Sequence, residues 1–159
     1  MARAKGLSRN MAAFLDMIGW SEIGDKLLAV SDDGYNVIVG STPTKPKLFD
    51  DYAAHPQIYV KSVNSTAAGR YQILGKYATH YMAQLKLPDF APASQDKIAI
   101  QLIRECKAVQ LIEDGHIGRA ITACKSRWAS FEGAGYGQRE HSIDDLISHF
   151  IAYGGVLAK

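Results

Sequence analysis

Residues 11–24, MAAFLDMIGWSEIG, constrain the fold of this chain more than any other stretch. Met11, Phe14, Leu15 and Ile18 recur at i, i+3, i+4 and i+7, which is the spacing of one helical face. Ser8 stands where an N-cap belongs, so the spacing predicts a helix from about Ser8 to Ser21. The helix reads as buried, and other elements must cover it. It runs straight into Glu22 and breaks at Gly24. A carboxylate at the end of a buried helix calls for an explanation, because burial penalises its charged form.

The remaining helices are legible in the same way. From Arg70 onward Tyr71, Leu74, Ala78, Tyr81 and Leu85 mark one face, and Ile98, Leu102, Ile103 and Cys106 mark another after Pro92 and Ser94. Ile117, Ile121, Cys124 and Trp128 mark a third, opened after Gly115. Ser142-Ile143-Asp144-Asp145 reads as a capping-box start for a last helix with Ile143, Leu146, Ile147, Phe150 and Ile151 on its apolar face and Gly154 as its stop. Between the first helix and these, GYNVIVGS (34–41) is a β-branched run bracketed by glycines, and QIYVKSV (57–63) alternates apolar and polar residues. Together they predict a small sheet. The Pro-punctuated stretch between them reads as a long loop, which in a compact domain is more often functional than idle.

Bulk properties fit one domain, 1–159. The 159 residues are 47% hydrophobic, enough for a real core. Eighteen Lys and Arg against 16 Asp and Glu give a net charge of +2, too slight to argue for a nucleic-acid partner. Arg3, Lys5 and Arg9 read as a solvated, frayed N-terminus. Asp16 splits the apolar stretch that follows, and no small-residue cleavage site comes after it, which argues against an export signal or a membrane span. Cys106 and Cys124 lack any C-x-x-C spacing and fit free thiols in a reducing, cytoplasmic compartment.

Several chemistries find no support in the spacing. His55, His80, His116, His141 and His149 form neither H-E-x-x-H nor a Cys/His cluster, so no metal and no cofactor is expected. EGAGYGQ (132–138) follows a helix rather than a strand and lacks the lysine of a phosphate loop. No G-x-S-x-G elbow is present, and nothing in the spacing recommends a Ser-His-Asp set.

Six segments carry a family resemblance, in order along most of the chain. They are FLDMIGWSE (14–22), GYNVIVG (34–40), FDDYAAHP (49–56), STAAGRYQIL (65–74), LPDFAPASQD (87–96) and WASFEGAGYGQ (128–138). In these the chain resembles the lambda-type phage endolysins, peptidoglycan lytic transglycosylases whose fold is similar to the wider lysozyme-like superfamily. It departs from them at Ile23, where a small residue is expected, in the loops 24–33 and 41–48, and at Asn36, where the family pattern carries Asp. The resemblance implies an α+β, lysozyme-like fold, mainly helical, with a small antiparallel sheet lobe and a cleft between the lobes.

It also implies that Glu22 is the catalytic acid. The negative end of a helix macrodipole and the apolar neighbours Trp20 and Ile23 would both favour its protonated form; by position alone a Glu at a helix end reads as simply solvated, and it is the family resemblance that reverses that reading. Gly69, Tyr71 and Gln72 would cradle substrate, with Gly69 permitting close backbone approach, Tyr71 a flat surface and Gln72 an amide suited to an N-acetyl sugar. By its helical spacing Tyr71 reads equally as core. In GAGYGQ, Tyr136 would hydrogen-bond Glu22 or the sugar and Gln138 would line the cleft; the same loop also reads as a simple connector.

The implied reaction breaks the β-1,4 bond between N-acetylmuramic acid and N-acetylglucosamine, with Glu22 acting first as acid and then as base while the muramyl 6-hydroxyl closes a 1,6-anhydro ring. A hydrolytic muramidase using a second carboxylate, from among Asp32, Asp33, Asp50 and Asp51, is the alternative; Asn36 cannot be that base. A glycan-binding wall module without catalysis is a further one. The expected partners are peptidoglycan glycan strands. The expected state is a monomer without nucleic acid or stable membrane association, held in the host cytoplasm until a separate protein permeabilises the membrane and admits it to the periplasm and wall.

Overall fold

The computed structural model describes residues 1–135, 137 and 139–159. The apolar stretch forms helix α1, Arg9–Ile23, and the Ser8 hydroxyl caps it by accepting from the Met11 N–H at 3.0 Å. The helix runs two residues beyond the expected end, so Glu22 lies in its last turn rather than past it. Gly24, at φ 80°, stops it, and its N–H donates back to Trp20 O. Phe14, Leu15, Met17 and Ile18 are fully enclosed, because α1 is the central element. A short α2, Asp25–Ala29, follows directly. The remaining helices are α3 Gly75–Gln84, α4 Pro92–Glu105, α5 Val109–Glu113, α6 Ile117–Cys124 and α7 Ile143–Ala152. Helices α2, α4, α5 and α7 all pack on α1, and α3 leans on α4.

The strong end signals are realised. Pro92 sits in the first turn of α4, where a missing N–H costs nothing. Ser142 caps α7 by accepting from the Asp145 N–H at 3.1 Å, and Gly154 follows its end at φ 92°. Helices α2 and α5 have five residues each, too few for a 3.6-residue repeat to register in the sequence. Trp128 lies beyond the end of α6, buried against Phe131. Cys106 and Cys124 are both free. No helix among the described residues is long and apolar enough to cross a membrane.

Residues 30–74 form the second lobe, made of turns and isolated antiparallel bridges. Val37 pairs with Leu48, Ile38 with Ala68, and Ala68 with Ile73. The expected strand at 57–63 is absent: Val60 bridges to Ser65, a single 3-10 turn occupies Lys61–Val63, and Ile58, Tyr59 and Val63 are exposed. Alternation makes a strand only where one face finds a core, and here Val60 alone packs inward. The helix expected from Arg70 begins instead at Gly75. Residues 68–73 are a tight hairpin, closed by reciprocal Ala68 and Ile73 backbone bonds and turned at Gly69 (φ 80°) and Gln72 (φ 47°).

The N-terminus is not frayed. The Arg3 and Ala4 N–H groups donate to Asp96 Oδ2, at 2.5 and 2.7 Å, and the Ala2 N–H donates to Asp16 Oδ1 at 2.6 Å. The Arg3 guanidinium reaches Asp32, and the Met1 ammonium pairs with Asp33. Behind them Arg70, almost wholly buried, bridges Asp16 and Asp33. A run of cations near a terminus reads as solvated, but buried carboxylates 14 to 93 residues away hold the backbone of this one.

Candidate active site

Glu22 projects from the last turn of α1 into a cleft of about 770 Å³ between the helical lobe and the bridge lobe. Ile23 and Leu27 flank it, Val37–Ser41 and Gln72–Leu74 form the opposite wall, and Arg127, Trp128 and Ala129 close one side. Glu22 is the sole carboxylate among the described residues that line this cleft.

Burial pushes the Glu22 carboxyl up from 4.5 to about 7, and two hydrogen bonds from Ser130 act against the rise. The Ser130 hydroxyl donates to Glu22 Oε1 at 2.5 Å, and the Ser130 N–H approaches the same oxygen at 3.4 Å. A carboxyl half protonated near neutrality can give a proton and later take one back. Of the two apolar neighbours expected to limit its hydration, Ile23 lines the cleft and Trp20 does not. Trp20 is turned away from the cleft, stacked on His149 with ring centroids 3.3 Å apart and donating from Nε1 to Asp25.

The other sequence-predicted residues fall into three groups. Gln72 lines the cleft, its amide donating to Gly69 O at 2.9 Å. Tyr71 borders it as well, but its hydroxyl is buried and donates to Asp96 Oδ1 at 2.6 Å, so the polar end of the ring faces the core. Gly69 is absent from the cleft lining, and the space a side chain would fill there is taken by Gln95, whose Cδ would stand 2.8 Å from a Cβ. The glycine thus admits Gln95, which accepts from the Arg70 N–H and donates to Tyr35 O and Phe90 O. Tyr136 and Gln138 lie outside the described residues.

The four aspartates stand apart from the cleft lining. Asp32 is engaged by Arg3 and Tyr52, and the Arg3 guanidinium holds its carboxyl below the usual range. Asp33 pairs with Arg70 and Met1. Asp50 and Asp51 are exposed, Asp51 capping a turn by accepting from the Ala53 N–H. Asn36 Oδ1 accepts from the Asp32 N–H and serves the lobe's backbone.

Ser130 and Arg127 were not among the residues singled out in the sequence. Ser130 lies 108 positions from the carboxylate it touches, inside a segment that already carried the family resemblance, WASFEGAGYGQ.

Comparisons with known proteins identify the family and the fold. The family described as Endolysin matches residues 12–157. The endolysin of Escherichia phage P2 is 47% identical over 158 residues, covering 94% of this chain and 96% of that protein. The endolysin of Escherichia phage lambda is 44% identical over 157 residues, with 96% of both chains covered. Among solved structures, bacteriophage lambda lysozyme complexed with a chitohexasaccharide superposes with a TM-score of 0.88 at 43% identity, covering 95% of this chain and 97% of that one. A second structure of lysozyme from bacteriophage lambda gives 0.83 at 42% identity over the same shares. The chain therefore has the lysozyme-like α+β fold and belongs to the endolysin family.

Proposed function

We propose that the protein is a phage or prophage endolysin that cleaves the β-1,4 bond between N-acetylmuramic acid and N-acetylglucosamine of peptidoglycan without consuming water. The observation that carries this reading is the single carboxylate, Glu22, among the described residues of the cleft. That a related lysozyme was solved with a chitohexasaccharide supports a glycan as the occupant.

Protonated Glu22 gives its proton to the glycosidic oxygen, and the bond from muramyl C1 to that oxygen breaks as the leaving sugar departs as an alcohol. The substrate's own N-acetyl group stabilises the electron-poor C1. Glu22, now a carboxylate, takes the proton of the muramyl 6-hydroxyl as that oxygen bonds to C1, which closes the 1,6-anhydro ring and regenerates the acid. A pKa near 7 suits both halves of this cycle. Gln72 on the opposite wall supplies an amide for an N-acetyl group, and Tyr71 supplies ring surface rather than its hydroxyl.

Mass spectrometry of the muropeptides released from purified peptidoglycan tests the reading. Anhydromuramyl ends, lighter by one water than the hydrolysis products, are expected; reducing ends would instead make the protein a hydrolytic muramidase. Release of no fragments at all would leave a glycan-binding module. In the infected cell we place it in the cytoplasm until a separate membrane-permeabilising protein opens the way to the wall.

A further inference from the structure

The residue that holds Glu22 offers more than a contact. We propose that Ser130 is a positioning residue for the reaction: it grips one oxygen of Glu22, Oε1, and so assigns the transferable proton to the other, Oε2. The inference rests on Glu22 as the acid and base proposed above.

Both Ser130 bonds reach the same atom, from Oγ at 2.5 Å and from the backbone N–H at 3.4 Å. A backbone N–H can only donate, so Oε1 is the accepting oxygen in either charge state. The proton of the neutral acid is left to Oε2. The grip comes from a segment far from α1 in sequence and rigid by packing, since Trp128 and Phe131 on either side of Ser130 are buried. Ser130 O also accepts from the His141 N–H at 2.8 Å, which ties the backbone of this segment to the start of the α7 region.

A second hydroxyl stands behind the first. Ser130 Oγ lies 2.9 Å from Ser21 Oγ, and Ser21 Oγ donates to Ile18 O at 2.9 Å. Each hydroxyl has one proton. When Glu22 is a carboxylate, it is the stronger acceptor and takes the Ser130 proton, and Ser21 can then turn its own proton from Ile18 O to Ser130 Oγ. When Glu22 is protonated, the Oε1 acceptor weakens and the Ser130 proton can return towards Ser21. The pair thus adjusts to the charge state without moving a heavy atom. Both serines are buried, so water does not compete for these positions.

Other titratable groups share the surroundings. Arg127, Tyr71 and Tyr77 line the cleft, and His141 packs behind it against Trp20. Burial holds the His141 imidazole below its usual value. The forces acting on Glu22 itself are burial and the two Ser130 bonds.

The test is a titration of the Glu22 carboxyl carbon by NMR in protein labelled with 13C at glutamate, the signal being assigned by its loss in Glu22→Gln. Ser130→Ala keeps the backbone donor and deletes the hydroxyl. Loss of a hydrogen bond to the charged form is expected to raise the midpoint by about one unit or more. The pH profile of kcat should move upward with it, with kcat falling about tenfold or more and KM little changed. Ser21→Ala, which removes only the outer hydroxyl, should shift the midpoint in the same direction by less. It carries the test if Ser130→Ala does not fold, as judged by thermal melt. A midpoint that stays in place or falls in the folded Ser130→Ala protein, or in Ser21→Ala where that variant stands in, overturns the proposal. The carboxyl titration needs no turnover, so it is separable from the function reading, which fails instead if Glu22→Gln retains lytic activity.

Discussion

Arg70 lies across the Cα of Gly19, so closely that a Cβ on that residue would meet its guanidinium, with Cζ 2.9 Å away. Gly19 is one turn before the end of α1, and its bare backbone lets the guanidinium reach Asp16 on the same helix at 3.0 Å and Asp33 on the bridge lobe. The contact joins the helical lobe to the bridge lobe through one buried cation.

Gly19→Ala is therefore expected to destabilise the protein, although Ala is the better helix former by about 1 kcal/mol. Overpacking costs about 1–3 kcal/mol, and disturbing a buried ion pair adds to that, so the clash outweighs the propensity gain. A thermal melt checks it. A melting temperature equal to or above that of the parent would mean that Arg70 has room to move.

Glu22→Gln removes the transferable proton while keeping size and amide hydrogen bonding. Lytic activity should fall by at least a hundredfold, measured as clearing of purified peptidoglycan.

The same substitution should leave a signature in stability. The Glu22 carboxyl titrates at 4.5 in the unfolded chain and at about 7 in the fold, so over that interval the folded state binds the proton more tightly. Its contribution is fully present below 4.5 and lost as pH rises through 7. Glu22→Gln removes this loss. Its stability relative to the parent should rise between pH 4.5 and 7 and then level off, at about 2 kcal/mol once the partly open side of the group is allowed for. Denaturant melts across pH 4 to 8 measure this, and a difference independent of pH would contradict the raised value.

Asp32, Asp33, Asp50 and Asp51 changed singly to Asn should each retain turnover within about tenfold of the parent, far above Glu22→Gln, because the attacking group is the substrate's own hydroxyl. Asp33→Asn should lower the melting temperature most, since it unpairs part of the Arg70 cluster. Rate, product mass and melt are measured together. One variant that melts normally, makes no product and lies in a background releasing reducing ends would identify a hydrolase.

Tyr71→Phe should cost about 1–2 kcal/mol of stability and leave KM and kcat within about threefold, because the hydroxyl donates to buried Asp96 and not into the cleft. Unchanged stability with a raised KM would return that hydroxyl to the sugar.

The signals that were local in the sequence determined a good part of this protein. Ser8 and Ser142 as caps, Gly24 and Gly154 as stops and the apolar faces of α1, α4 and α7 all act within a few residues, where propensity and period decide the outcome. Glu22 at the end of the central helix was legible for the same reason, and the motifs around it indicated the family. The tertiary structure decided what depended on distant partners. The 57–63 stretch has a strand's alternation but no core beneath it, and the 70–74 stretch has a helix's period but a hairpin's closing bonds. Gly69 makes room for Gln95, Tyr71 faces Asp96, and the basic N-terminus is drawn down onto Asp16, Asp32, Asp33 and Asp96. Above all, Ser130 meets Glu22 across 108 residues. No periodicity records such a pairing, because a hydrogen bond between folded segments depends on where the packed core places them, not on their spacing along the chain.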